Sequence, residues 1–595
     1  GEFYKDVNSR CYRVTFEKIW VQDIHKAVKN GQLYLFQLYN KDFSPKSHGL
    51  PNLHTLYWKA VFDPENLKDP IVKLNGQAEL FYRPKSNMQI IQHKTGEEIV
   101  NKKLKDGTPV PDDIYREISA YVQGKCQGNL SPEAEKWLPS VTIKKAAHDI
   151  TKDRRFTEDK FFFHVPITLN YQSSGKPTAF NSQVNDFLTE HPETNIIGID
   201  RGERNLIYAV VITPDGKILE QKSFNVIHDF DYHESLSQRE KQRVAARQAW
   251  TAIGRIKDLK EGYLSLVVHE IAQMMIKYQA VVVLENLNTG FKRVRGGISE
   301  KAVYQQFEKM LIEKLNFLVF KDRAINQEGG VLKAYQLTDS FTSFAKLGNQ
   351  SGFLFYIPSA YTSKIDPGTG FVDPFIWSHV TASEENRNEF LKGFDSLKYD
   401  AQSSAFVLHF KMKSNKQFQK NNVEGFMPEW DICFEKNEEK ISLQGSKYTA
   451  GKRIIFDSKK KQYMECFPQN ELMKALQDVG ITWNTGNDIW QDVLNQASTD
   501  TGFRHRMIDL IRSLLQMRSS NGATGEDYIN SPVMDLDGRF FDTRAGIQDL
   551  PLDADANGAY HIALKGRMVL ERIRSQKNTA IKNTDWLYAI QKERN

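Results

Sequence analysis

The stretch Asn195-Ile-Ile-Gly-Ile-Asp-Arg-Gly-Glu-Arg-Asn-Leu-Ile-Tyr-Ala-Val-Val-Ile212 constrains this chain more than any other. It reads as a buried strand over 196–199 that ends on a carboxylate, Asp200. A polar turn follows, then a second apolar strand over 206–212. An acid at the end of a hydrophobic strand is costly to bury unless a cation or a hydrogen-bond donor meets it. Taken alone, Asp200 is either a turn cap or one corner of a metal site.

The same pattern returns downstream. Ala280-Val-Val-Val-Leu284 is a second buried strand, and it ends on Glu285. Near the end of the chain, Asp553-Ala-Asp-Ala-Asn-Gly-Ala-Tyr-His561 opens a helix, with Asp553 as its N-cap and Asp555 in the first turn. The apolar positions Ala559, Ile562, Ala563, Val569 and Leu570 would pack that helix on the sheet. If the two strands are neighbours, Asp200, Glu285 and Asp555 converge. Three buried like charges need divalent cations or raised pKa values. Oxygen donors without His or Cys favour Mg²⁺ or Mn²⁺ over zinc. Two such ions about 3.5–4 Å apart would support phosphodiester hydrolysis. The order of meander with Asp, later strand with Glu and last helix with Asp is an RNase H-like arrangement. Three unrelated capping carboxylates are the other reading.

With 595 residues, the chain needs about two to five domains. Its formal charge of +6 is mild, so any polyanion site must come from local clustering. Such clusters exist. Lys144, Lys145, Lys152, Arg154 and Arg155 form one, and a charged helix over about 233–260 carries Arg243 and Arg247, with Trp250 as a large anchor. A solvated surface helix would look the same. A loop after Glu285 adds Lys292 and Arg293. Residues 10–85 interleave bases and aromatics in short strand-like runs, which suits a nucleic-acid-facing barrel or an ordinary small β domain. From about 359 to 550 the βαβ rhythm stops, as expected of a domain inserted in its host. Within it, Arg518 is predicted at the end of a helix over 502–517, facing a flexible loop.

The four cysteines form no CxxC pair, which excludes a zinc ribbon and a disulfide scaffold and fits a reducing compartment. No apolar run reaches membrane-spanning length, so no membrane partner is expected. The chain opens Gly1-Glu2-Phe3 rather than with Met, which reads as a piece of a longer protein.

Taken together, Ile197-Gly-Ile-Asp-Arg-Gly-Glu-Arg-Asn205, Val283-Leu-Glu-Asn-Leu-Asn288 and Asp553 to His561 resemble the type V-A CRISPR effector nucleases, the Cpf family. The likeness extends to Asn52-Leu-His-Thr-Leu-Tyr-Trp58, Asp153-Arg-Arg-Phe156, Lys160-Phe-Phe-Phe-His-Val-Pro166 and Leu514-Leu-Gln-Met-Arg518, and so covers essentially the whole chain. The fold it implies is multidomain α+β. An RNase H-like RuvC core, a mixed sheet flanked by helices, is split by an inserted Nuc domain and preceded by part of a β-rich oligonucleotide-binding wedge domain. The implied boundaries are 1–176 wedge, 177–232 RuvC-I, 233–249 bridge helix, 250–357 RuvC-II, 358–552 Nuc and 553–595 RuvC-III. Asp200, Glu285 and Asp555 would be the metal triad, Arg518 the functional arginine of the Nuc domain and Asp527 its helper. Trp250 would anchor the bridge helix, and the segment after Glu285 would be a lid.

The resemblance further implies Mg²⁺-dependent cutting of DNA beside a T-rich flanking motif, guided by a CRISPR RNA, in a bacterial cytoplasm. It also implies metal-independent maturation of the guide precursor at His93, Lys102 and Lys152, with Phe156 nearby to stack on a base. Family members carry a large N-terminal part with the recognition lobe that this chain lacks, so a partner half is expected. A guide-RNA-binding fragment that is silent without that half is the alternative. A stand-alone transposon-associated RuvC nuclease is disfavoured, because the insertion has no CxxC…CxxC ribbon.

Overall fold

The computed structural model describes residues 12–13, 19–33, 71–74, 79–85, 92–126, 128–147, 149–151, 159–164, 167–168, 177–201, 206–236, 238, 256–287, 298–316, 337–411, 428–457, 460–576 and 578–592. The chain forms two compact units, Gly1–Tyr171 with Arg239–Arg255, and Gln172–Gln238 with Ile256–Asn595.

In the first unit, strands far apart in sequence close a nested antiparallel ladder. Glu79–Arg83 pairs with Lys160–His164, Gln92–His93 with Ile150–Thr151, and Glu98–Val100 with Ile143–Lys145. Inside the last pair lie the helices Asp112–Val122 and Pro132–Trp137, packed around Val100, Val110, Ile114, Ile118 and Ala134. One helix, Val21–Lys29, was not foreseen among the strand-like runs. Residues 107–113, which Pro109 and Pro111 mark as a loop in the sequence, are partly ordered: Lys103 bridges to Pro109, and Pro111 serves as the N-cap of the next helix. Pro tolerates that place because a helix start needs no N–H from it. The strand expected over 54–61 lies outside the described residues.

The second unit is built on a five-stranded sheet. Its order across the sheet is Ile218–Ser223, Tyr208–Ile212, Asn195–Asp200, Ala280–Glu285, Leu354–Ile357. The first three strands are an antiparallel meander, and the last two run parallel to Asn195–Asp200. The central strands are apolar on both faces because helices cover them. Ile256–Tyr278 leads into the Glu285 strand, and Ala554–Arg574 crosses the sheet with 554–566 buried without a break.

That helix lies unusually close to the sheet. A Cβ on Gly198 would stand 2.1 Å from the Ala559 carbonyl oxygen and 2.5 Å from the Ala563 nitrogen. A Cβ on Gly566 would meet Val283 at 2.5 Å. Glycine in a strand commonly marks such an approach.

The stretch inserted in sequence between Leu354–Ile357 and Ala554–Arg574 packs around a second hydrophobic core, made of Phe375, Phe390, Phe394, Phe406, Phe410, Trp430, Trp490 and their neighbours, with Ala554. The antiparallel strands Ser396–Asp400, Ala405–Lys411 and Glu429–Phe434 pack with the helices Pro468–Asp478, Trp490–Thr499 and Thr501–Leu515. Three further strands follow, Arg518–Ser520, Asp527–Met534 and Phe540–Asp542. The charged stretch after 238 that was expected to be helical, including Arg243, Arg247 and Trp250, lies outside the described residues, as do Lys292 and Arg293.

Gly198→Ala should lower the thermal midpoint of this unit by an amount worth about 1–3 kcal/mol, since backbone rather than a movable side chain meets the new methyl. Gly262→Ala, on an open helix surface, should raise it slightly. Equal effects of the two substitutions in a melting experiment would contradict this packing.

Candidate active site

Asn195–Asp200 and Ala280–Glu285 run parallel with Ile199 opposite Leu284, so Asp200 and Glu285 end adjacent strands side by side. The Asp555 helix starts over the same end. Its N-cap Asp553 accepts hydrogen bonds from the backbone N–H groups of Asp555 and Ala556 at 2.9 and 2.7 Å, and the hydroxyl of Tyr208 bonds to Asp553. Tyr208 is the cross-strand neighbour of Asp200, so sheet and helix start are tied together. One turn into the helix, a Cβ at Gly558 would lie 2.3 Å from Asp200 Oδ2, which shows how tightly that carboxylate sits against the helix.

The electrostatics follow from the crowding. Burial, then the charges of Glu285 and Asp555, push the Asp200 carboxyl up to about 8. Its backbone bond from Arg201 (2.8 Å) and the nearby Arg518 act the other way. Burial also raises Glu285, opposed by the Thr362 hydroxyl, which donates to Glu285 Oε1 at 2.6 Å, and by the charges of Arg201 and Lys565.

Arg518 reaches this centre from the insertion. Its Nε and Nη2 donate to the two oxygens of Asp527 at 2.9 and 2.6 Å, and Nη2 also donates to Asp555 Oδ1 at 3.0 Å. Burial works against the guanidinium charge, but the Asp527 and Asp555 bonds outweigh it and hold the pKa above the ordinary value. The expected setting of Arg518 needs correction. The helix stops at Leu515, and Arg518 opens a strand paired with the Asp527 strand, locked in a fork rather than facing a flexible loop. The carboxylates on either side of it supply the reason.

Six contacts were not expected from sequence. Arg201, its side chain 2 % exposed, pairs with Glu308, 4 % exposed, at 2.5 Å, and also donates to the Glu285 carbonyl at 2.7 Å. The hydroxyl of Tyr356 donates to the other oxygen of Glu308 at 3.1 Å. Lys565 donates to the carbonyls of Pro358 (2.9 Å) and Ala360, while Asn557 donates to that of Ile365 at 2.9 Å. These bonds fix the strap 358–365 that carries Thr362 to Glu285. Burial pulls the Lys565 ammonium down to about 7, with Glu285 opposing. Two signals lay in the sequence: a lone Gly in an apolar strand, and a Lys on the apolar stripe of the last helix. Thr362 and Glu308 gave none, being ordinary residues far along the chain.

The donor set fits a hard divalent cation, since the converging side chains offer oxygen alone. Asp555 is turned to Arg518 and Glu285 to Thr362. Among the described residues, no three His, Cys, Asp or Glu side chains are gathered closely enough to enclose an ion. The other predicted residues stand in the first unit. His93 is 7 % exposed, with Nδ1 3.4 Å from Glu97 Oε2. Lys102 is exposed, 3.6 Å from Asp112 and over the Tyr115 ring. Lys144 and Lys145 are exposed on their short strand. Lys152, Arg154, Arg155 and Phe156 lie outside the described residues.

A meander followed by two parallel strands, with acids at the ends of the inner pair and a third acid at the start of the covering helix, defines an RNase H-like nuclease core. Residues 174–595 match the family model of the RuvC nuclease domain, and the chain belongs to that family of hydrolytic nucleases, which generally use divalent metal ions. No helix among the described residues is long and apolar enough to cross a membrane.

Two predictions follow from these charges. The Asp200 carboxyl titrates near 3.8 when unfolded and near 8 when folded, so its contribution to stability is full below the lower value and is lost as pH rises through the upper one. In EDTA, the melting midpoint of the parent should therefore fall between about pH 5 and pH 8, and Asp200→Asn should flatten that fall and melt higher at the alkaline end. A parent midpoint that rises over the window would contradict this. Separately, Glu308→Ala leaves Arg201 buried without its carboxylate and should cost about 3–5 kcal/mol in a denaturant titration.

Proposed function

We propose that this chain is the nuclease portion of a type V-A CRISPR RNA-guided DNA endonuclease, cutting both DNA strands with Mg²⁺. The observation that carries the reading is the meeting of Asp200, Glu285 and Asp555 with an arginine delivered by an inserted domain. The motifs around all four residues support the same family. Its partners on this reading are a CRISPR RNA, a target DNA with a T-rich flanking motif and an N-terminal part with the recognition lobe, in a bacterial cytoplasm.

In the reaction, Asp200, Glu285 and Asp555 would hold the ions. Mg²⁺ there, with Mn²⁺ as a substitute, supplies positive charge for the attacking water and the departing oxygen. The Arg201 N–H holds Asp200, the Thr362 hydroxyl holds Glu285, and the Asp553 cap fixes the start of the helix that carries Asp555. Arg518 is held by Asp527, and a scissile phosphate competes with Asp555 for its Nη2 edge, which puts a planar cation against the developing charge. Guide maturation is assigned to the first unit, with His93 and Lys102 as proton carriers, joined by Lys152, and with Phe156 stacking on a base. The basic residues Lys144, Lys145, Arg154, Arg155, Arg243, Arg247, Lys292 and Arg293 would meet phosphates, and Trp250 would anchor the bridge helix.

The test is cleavage of end-labelled target DNA by the assembled complex with guide and Mg²⁺. Asp200→Ala should abolish it, and Arg518→Ala should lower kcat by about 100-fold or more with little change in guide affinity. Parent-like cutting by Asp200→Ala would sink the assignment of the site.

A further inference from the structure

The insertion carries a hairpin whose outer half no core uses. Its strands are Arg453–Asp457 and Gln462–Cys466, with Phe456 directly opposite Tyr463. The two rings are 5.1 Å apart at 62°, and Phe456, Tyr463 and Met464 are 53 %, 42 % and 40 % exposed. At the tip of the hairpin, Lys460 and Lys461 are exposed. The acids beside it are engaged: Asp457 accepts from the Lys460 backbone at 3.1 Å, and Glu465 is 3.1 Å from Lys452.

The root of this hairpin is rigid and joined to the catalytic arginine's strand. Arg453 and Ile454 are buried. The Ile454 N–H donates to Ser519 Oγ at 3.1 Å, and Gln516 donates to the Ile454 carbonyl at 2.9 Å. Lys452 pairs at 2.9 Å with Glu526, the neighbour of Asp527. A Cβ on Gly522, in the loop that follows Arg518, would come 3.6 Å from the Tyr463 hydroxyl. From Ile454 to Phe456 the strand advances about 7 Å, so the rings lie within a few nucleotides' reach of Arg518.

We propose that Phe456 and Tyr463, with Lys460 and Lys461, form a stacking platform for single-stranded nucleic acid that feeds one strand toward Arg518 and the carboxylates. Exposed rings beside cations fit a polyanion with flat faces, and base faces are open only when unpaired. Binding at the platform stands independently of the nuclease reading. Only the delivery of the strand to the metal centre rests on it.

The test uses the whole chain in EDTA, with fluorescence anisotropy of a labelled oligo(dT) and of a duplex of equal length. Replacing both rings, Phe456→Ala with Tyr463→Ala, should weaken oligo(dT) binding by about 10-fold or more and leave duplex binding unchanged. A second variant, Phe456→Leu with Tyr463→Leu, keeps the hairpin apolar but removes the stacking faces, and should lose as much. Lys460→Ala with Lys461→Ala should reduce the slope of affinity against salt. Unchanged oligo(dT) affinity in both ring variants would mark a protein-docking face and overturn the proposal, and so would equal loss of oligo(dT) and duplex. Cleavage in Mg²⁺ separates the two claims. If the parent binds through the rings but its assembled complex with guide and target never cuts in Mg²⁺, the platform stands and the nuclease reading fails.

Discussion

The in-register parallel pairing of Asn195–Asp200 with Ala280–Glu285 is the constraint on which the rest of the unit depends. It sets two acids side by side at a buried sheet end, where neither could stand alone at neutral pH without help. Everything nearby answers that charge. Arg201 grips the Glu285 carbonyl from behind while its own N–H holds Asp200. Arg518 enters from the insertion, and Lys565 adds positive charge toward Glu285. A slip of one residue would turn both acids toward the opposite face. The close approach of the last helix at Gly198, where any other residue would clash, resists it, so the stability of the sheet and the geometry of the site are one problem.

The insertion solves a different part of that problem. Its aromatic core centres on Phe390, Phe406 and Trp490 and takes in Ala554 at the start of the last helix. Polar bonds add to that contact. Gln221 donates to the Leu550 carbonyl at 2.8 Å and accepts from the Leu552 N–H at 3.1 Å, while Arg518 spans to Asp555. A charge-assisted fork of this kind holds in place yet releases when a stronger anion arrives, which is what a phosphate-handling arginine requires. Burial of Arg518 between Asp527 and Asp555 explains why a lone surface-like arginine in the sequence takes a defined place in the fold.

Much of the site was legible because its signals are local. An apolar run ending on an acid is visible within a few residues, and it pointed to Asp200 and Glu285. A cap followed by a first-turn acid pointed to Asp555. That the two acid-ending strands are neighbours was only a condition in the sequence, and the parallel pairing meets it. Arg518 was identified as important but placed on the wrong element, because the helix period continues to Met517 in sequence while the backbone turns into a strand after Leu515. The contacts that hold the acids in place were not legible at all. Arg201 with Glu308 and Glu285 with Thr362 join residues far apart in the chain, and Glu308 looks in sequence like any exposed helix acid. In the first unit local alternation marked strands such as Glu79–Arg83 but said little about partners, since short strands pair there across long stretches.

The claim that Asp200, Glu285 and Asp555 form one ion-binding centre is tested most directly by anomalous diffraction from crystals of the protein soaked in Mn²⁺. The account predicts manganese peaks among these three carboxylates, with the Asp555 oxygen withdrawn from Arg518, and no such peaks in crystals of Asp200→Asn. Manganese bound elsewhere in an enzyme that still cuts DNA, with the three carboxylates unliganded, would contradict it.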